Sequence, residues 1–176
     1  MKEIDVLIYL PGQGEKEKES MMELVNMARG KNPSRIFISL ESRSETIRNK
    51  LTEELKNIPV STTECNISGI VSDSSQSTDL QVKRKVLELG LDTLAKYVEN
   101  SNESIESLNS EVTLSLFRAF FIFYSSAMPG DYELLYEDRR MCILGKLLHE
   151  NIESGDMLIV SPWDAYWFKD ELEKLK

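Results

Sequence analysis

The stretch Ile4-Asp5-Val6-Leu7-Ile8-Tyr9-Leu10, followed at once by Pro11-Gly12-Gln13-Gly14, decides the fold. A short aliphatic, β-branched run that ends in a glycine turn reads as a strand, and its near-continuous apolarity suits a strand covered on both faces. A charged segment then enters a helix with Met21, Met22, Leu24, Val25 and Ala28 as its apolar face and Gly30 at its expected stop. The same unit returns. Arg35 to Leu40 predicts a second strand, Glu41-Ser42-Arg43-Ser44 a turn with Ser44 as helix cap, and Ile47, Leu51 and Leu55 a second helix ended by Pro59. A third strand is expected within Val60 to Val71, with Ser72 to Ser75 as its exit. Strand, polar turn and helix in repetition predict an α/β, Rossmann-like domain, its mostly parallel sheet covered by helices on both faces.

Farther along, Asp79 to Asn100 predicts a long helix, apolar at Val82, Val86, Leu89, Leu94 and Val98. A fourth strand is expected in either Ile105 to Leu108 or Glu111 to Leu116. The spacing of Leu116, Phe117, Phe120, Phe121 and Tyr124 predicts a helix from about Thr113 to Met128. Tyr132 to Glu137 reads as a strand, Met141 to His149 as a helix, Met157 to Val160 as the last strand, and Trp163 to Leu175 as an aromatic amphipathic segment. The 176 residues are read as one domain, 1–176, with 161–176 as a lid or dimer element.

The composition is that of an ordinary globular chain, 41% hydrophobic and 29% charged, which excludes collagen-like and wholly disordered classes. A net charge of −9 argues against duplex nucleic acid held along its backbone, while leaving room for a small anion in a local pocket. The most apolar run, Leu114 to Met128, is too short to span a bilayer and is broken by Arg118, so no membrane partner is expected. Two distant cysteines, Cys65 and Cys142, are expected to be free thiols filling the core of a cytoplasmic protein, and a single His149 rules out Cys/His zinc motifs.

In an open parallel sheet, ligands bind beyond the carboxyl ends of the strands. That rule selects the loops Pro11 to Gly14, Glu41 to Ser44, Ser72 to Ser75, Asn109 to Arg118, Asp138 to Arg140 and Ser161 to Asp164. Gly12, Gln13 and Gly14 either cradle a ligand with backbone amides or make a tight turn into a helix; they form neither a Walker loop nor a full dinucleotide fingerprint. Ser42, Arg43 and Ser44 either bring a cation and two hydroxyls to the rim or cap a helix. Thr113, Ser115 and Arg118 could open a helix beneath the ligand. Arg118, set among Leu116, Phe117, Phe120 and Phe121, is either a ligand cation or the partner of Glu111 or another acid. His149 near a helix end suits the helix dipole better than catalysis. Lys169, after Trp167-Phe168, faces an aromatic lid or flanks a surface helix. Asp73, Asp138 and Asp164 follow expected strands but specify no metal site, and no cofactor is implied.

In layout the chain resembles the CARF domains (CRISPR-associated Rossmann fold). The resemblance lies in Val6-Leu7-Ile8-Tyr9-Leu10 with its glycine turn, in Ile36 to Leu40 with Glu41-Ser42-Arg43-Ser44, in Val71-Ser72-Asp73, and in the long helix Asp79 to Asn100. The chain departs from the family after the fourth strand: the Asp/Asn-x-Thr-Gly-Gly-x-Lys loop is absent, and Asn109 to Arg118 offers those residue types at other spacings. The resemblance implies a homodimer that binds a cyclic oligoadenylate, chiefly cyclic tetra-adenylate. At this size it implies a ring nuclease, which would cleave the messenger by metal-independent attack of a ribose 2′-OH and switch off type III CRISPR signalling. On that reading Lys169 stabilises charge and Gln13 orients, with Gly12, Gly14, Ser42, Arg43, Thr113 and Arg118 around the ligand. The serine usual after the family's first strand is replaced here by Gly12 or Gln13. Two other readings are a receptor that binds without cleavage and a Rossmann-like enzyme acting on a mononucleotide or other phosphorylated small molecule.

Overall fold

The computed structural model describes residues 3–10, 15–65, 77–101 and 104–174. Four short strands, β1 (Asp5–Ile8), β2 (Ile36–Ser39), β3 (Val60–Thr62) and β4 (Met157–Val160), form one sheet in the order β1-β4-β2-β3, every pairing parallel. The helices are α1 (Glu15–Lys31), α2 (Ser44–Glu54), α3 (Thr78–Ser101), α4 (Ile105–Leu108), α5 (Glu111–Ala127), α6 (Pro129–Tyr132), α7 (Asp138–His149) and α8 (Pro162–Glu173). This is the α/β architecture expected, with a parallel sheet and helices on both faces.

Alternation along the strands divides the core in two. Leu7, Ile36, Ile38, Met157 and Ile159 pack against α1 and α2, whereas Ile8, Phe37, Leu158 and Val160 pack against α3, α5, α7 and α8. Each such side chain removed from water contributes about 1.5–3 kcal/mol, so strands of three or four residues suffice when both faces are covered. The sheet's outer edge at β1 is closed by a side chain. Asn109 Oδ1 accepts the Ile8 N–H at 2.6 Å, and its Nδ2 donates to the Ile8 carbonyl at 2.9 Å and the Ile105 carbonyl at 2.8 Å.

Several expectations are corrected. Neither Ile105 to Leu108 nor Glu111 to Leu116 is a strand: both belong to helices, because Ser104 and Ser110 cap them by accepting the N–H groups of Ser107 and Thr113. Tyr132 to Glu137 is also helical, with a π-helical stretch over Glu133–Glu137. Tyr132 and Tyr136, one turn apart, both reach Phe121 and Tyr124, with their own rings 6.0 Å apart, whereas four residues of strand would separate them by about 13 Å. Gly30 does not stop α1. The helix runs to Lys31, and Asn32, in left-handed geometry at φ 49°, ends it. Ser44 is not the cap of α2 but its first helical residue, and its Oγ accepts the Leu40 N–H at 2.7 Å. On α3 the buried face carries Leu87, Leu94 and Val98, while Val82, Val86 and Leu89 are exposed, as is Met22 on α1. The third strand is short, Val60–Thr62, and the serine-rich exit expected at Ser72 to Ser75 lies outside the described residues. Among the described residues, no helix is long and apolar enough to cross a membrane.

Candidate functional site

All four strands point the same way, so their exits share one rim. The exits of β1 and β2 lead to α1 and α2 on one face, and that of β4 leads to α8 on the other. Because β4 lies between β1 and β2, neighbouring exits diverge on either side of it, the condition that opens a crevice in a parallel sheet.

Side chains from the exits of β2 and β4 and from α7 meet there. Ser161 starts α8 in extended geometry, Pro162 fills its first turn, and Asp164 accepts the Ser161 hydroxyl at 3.0 Å. Asp164, 1% exposed, also holds two guanidinium groups. Arg139 donates to its Oδ2 and lies 3.6 Å from the exposed carboxylate of Glu41. Arg140 donates from Nε to Oδ1 at 2.9 Å, and its remaining donors reach the Tyr132 and Tyr166 hydroxyls and the Trp163 carbonyl. Rings of Phe121, Tyr132, Tyr136 and Tyr166 surround that guanidinium with centroids within 4.8–5.8 Å. Arg140 is therefore a sealed structural cation. Arg139, its side chain 14% exposed, is the one at the mouth. Burial pushes the Tyr136 phenol up to about 12, and the Tyr132 and Tyr166 phenols are raised by the same cause.

Two further features mark the rim. Glu41, at the exit of β2, has φ 53°, a left-handed backbone that an L side chain rarely adopts. Beyond β3, Thr63 Oγ1 and Glu64 Oε1 are buried without a hydrogen-bond partner. Thr62 reaches Glu45 of α2, so by alternation Thr63 turns to the opposite face, where α7 lies. There Lys146 donates to the Glu64 carbonyl, and Cys142 is joined to Cys65. A buried polar atom left unpaired costs about 1–3 kcal/mol, and a bound hydroxyl or water is the usual remedy. The Arg139–Glu41 contact is long at 3.6 Å and its carboxylate is 67% exposed, so Glu41 is loosely held and an incoming anion can replace it cheaply.

The residues singled out from sequence are only partly gathered here. Gly12, Gln13 and Gly14 lie outside the described residues. Ser42 and Arg43 are exposed in the 3-10 turn Glu41–Arg43, with Arg43 acting electrostatically on Tyr9 and Glu17. Thr113 is buried, its hydroxyl shared among Ser110, Tyr97 and the Ser107 carbonyl, so it supports the chain and faces no ligand. Arg118 pairs with Asp170 through two hydrogen bonds of 3.0 and 2.5 Å, and hydrogen bonding to that carboxylate holds its guanidinium above the ordinary range. Lys169 is 2.7 Å from Glu111, whose carboxyl it holds below the usual carboxylate range, and it borders a cavity of about 270 Å³ along the outer edge of β1. Thr113, Arg118 and Lys169 thus follow α5 and α8, apart from the Arg139 cluster.

The expectation of two free thiols is corrected. Cys65 and Cys142 form a disulfide with Cα atoms 6.1 Å apart, and the argument for a cytoplasmic setting that rested on free thiols loses its support. The pairing is hidden in sequence by a separation of 77 residues and arises because the β3 exit packs on α7. Sequence reasoning selected the segment Asp138 to Arg140 without giving either arginine a role, and it missed Thr63, Glu64 and the role of Glu41. The signal present was two adjacent arginines within a turn of Tyr136 and Ile143, charges that need partners if one of them faces inward. No protein-family model, curated protein or solved structure matches the chain.

Proposed function

We propose that this domain binds a phosphorylated, ribose-containing ligand at the carboxyl rim of its sheet, of the cyclic oligoadenylate class to which the CARF-like layout points. The observation that carries the reading is the pair of partnerless buried atoms, Thr63 Oγ1 and Glu64 Oε1, on the rim to which α7 brings Arg139. A carboxylate oxygen accepts a ribose hydroxyl, a threonine hydroxyl does either, and a guanidinium takes a phosphate once Glu41 withdraws. Arg43 on the same rim adds a second cation, and the amino terminus of α8 directs its dipole toward it. Arg140, being sealed, holds Asp164 and so aims Arg139.

Cleavage of the ring would require a 2′-OH aligned with the phosphate and a cation on the developing charge. Lys169 is held on Glu111 beside the edge of β1, so Arg139 is the cation this reading assigns to that role. Calorimetry and thermal shift with cyclic tetra-adenylate, cyclic hexa-adenylate and AMP, in EDTA, test the proposal, with chromatography of the ligand afterwards. Binding of a cyclic oligoadenylate, weakened tenfold or more (about 1.4 kcal/mol) by Arg139→Gln, supports it, and linear product adds cleavage. Binding of AMP alone selects the mononucleotide reading, and no binding of any of them discards the assignment.

A further inference from the structure

We propose that a cavity walled by α3, α5 and the π-helical stretch Glu133–Glu137 takes a small uncharged ring compound and holds it by a carbonyl oxygen. The cavity has a volume of about 330 Å³. Small-molecule pockets begin at about 300 Å³, and a dry cavity of about 150 Å³ already admits benzene, so one or two rings fit. A single π-helical turn in its wall is a further mark, because such turns are rare and occur mostly at functional sites.

Two phenols supply the polar end. Four tyrosines pack around Phe121: Tyr124, Tyr132, Tyr136 and Tyr166. The hydroxyls of Tyr132 and Tyr166 accept from Arg140. Those of Tyr124 and Tyr136 make no hydrogen bond to the chain, although Tyr124 is only 6% exposed. Both residues line the cavity, their rings edge to face with centroids 5.6 Å apart. Among the described residues, the sealed oxygens without a partner are those of Thr63 and Glu64, so these two phenol oxygens stay open to a visitor. Buried phenols ordinarily find a partner. A carbonyl oxygen, with two lone pairs, can accept from both.

The surroundings exclude other ligands. Leu87, 3% exposed, and the half-buried Leu91 and Leu135 give the body of a ligand an apolar bed. The cation of the lining, Arg84, is committed to Asp131 through bonds of 2.7 and 3.1 Å. Burial raises the Tyr124 phenol above its ordinary value, and Asp131 and Glu88 add to that rise while Arg84 opposes it. Both phenols therefore keep their protons at neutral pH and serve as donors, and nothing at the mouth invites an anion. The inference stands on these residues and does not depend on the ligand proposed for the sheet rim.

Ligand-observed NMR and infrared spectroscopy of the full chain with 1-indanone, indane and benzoate test it. 1-Indanone should bind about tenfold more tightly than indane, which has the same rings without the oxygen, and benzoate should not displace it. The carbonyl stretch of bound 1-indanone should fall in frequency. Tyr124→Phe and Tyr136→Phe should each bring the preference for 1-indanone over indane down several-fold and return the stretch toward its free value. Tyr97→Phe, whose hydroxyl lies on Thr113 away from the cavity, should change neither. Equal binding of 1-indanone and indane by the wild type, displacement by benzoate, or no binding at millimolar concentration overturns the proposal. So does a carbonyl stretch indifferent to both phenylalanine variants.

Discussion

Asp164 Oδ1 accepts the Nε–H of Arg140 at 2.9 Å with both side chains sealed from solvent, at 1% and 0% exposure. Removing the carboxylate leaves a buried guanidinium with only neutral partners, and breaking such a pair costs about 3–5 kcal/mol. Asp164→Ala should lose that much in urea unfolding. Arg139→Gln, at the mouth, should cost less than Asp164→Ala because water can replace its contacts. A loss for Asp164→Ala below about 1 kcal/mol would refute the assigned role.

The tyrosines around Arg140 predict weakness in alkali. Burial raises the Tyr136 phenol to about 12, against about 10 for an unfolded tyrosine. Between those values the folded chain holds more protons than the unfolded one, so stability is fully present below pH 10 and declines as pH climbs toward 12. Unfolding midpoints at pH 9, 10, 11 and 12 should show the decline, and Tyr136→Phe, which has no ionisable oxygen there, should make it shallower.

Two glycines should answer oppositely to the same substitution. A Cβ at Gly90 would sit 2.5 Å from Phe120 Cε2, whereas one at Gly145 in α7 meets nothing within 4 Å. Gly90→Ala should therefore destabilise by about 1–3 kcal/mol through overpacking, and Gly90→Ala with Phe120→Leu should recover part of it. Gly145→Ala should stabilise by about 0.5–1 kcal/mol, since glycine inside a helix is costly to order. Melting temperatures moving in the same direction for both would contradict the packing described.

The disulfide closes a loop across a separation of 77 residues. Constraining so long a loop in the unfolded chain stabilises the fold by about 2–5 kcal/mol. A reducing agent should lower the melting temperature of the wild type, and Cys65→Ser with Cys142→Ser should match the reduced protein and ignore the reagent. An unchanged melting temperature on full reduction would show that the bridge constrains little.

Legibility in the sequence followed periodicity. Ile4 to Leu10, Arg35 to Leu40 and Met157 to Val160 announced strands because burial on both faces leaves continuous apolar runs, and the parallel α/β sheet followed from them. Between Ser101 and Glu137 the reading failed where local apolar runs are too short to show a period, although Ser104 and Ser110 already carried cap signals. The candidate rim was legible as a topological rule and in Ser161 to Asp164 after the last strand, whereas Asp138 to Arg140 reaches it as the first turn of α7 and not as the exit of a strand. Its chemistry was not, because Arg139, Asp164, Glu41 and Thr63 come from four separate segments that only packing unites. Arg118 was read with its alternatives open, and its partner proved to be Asp170, an acid 52 residues away.

The amide of Asn109 does at Ile8 what a neighbouring strand would otherwise do, occupying both the donor and the acceptor that face outward. A sheet finished by a side chain offers fewer free peptide groups for a stranger's backbone to extend, and so resists runaway stacking into fibrils. Crowded copies of this chain are thereby offered less of an edge where growth has no natural end.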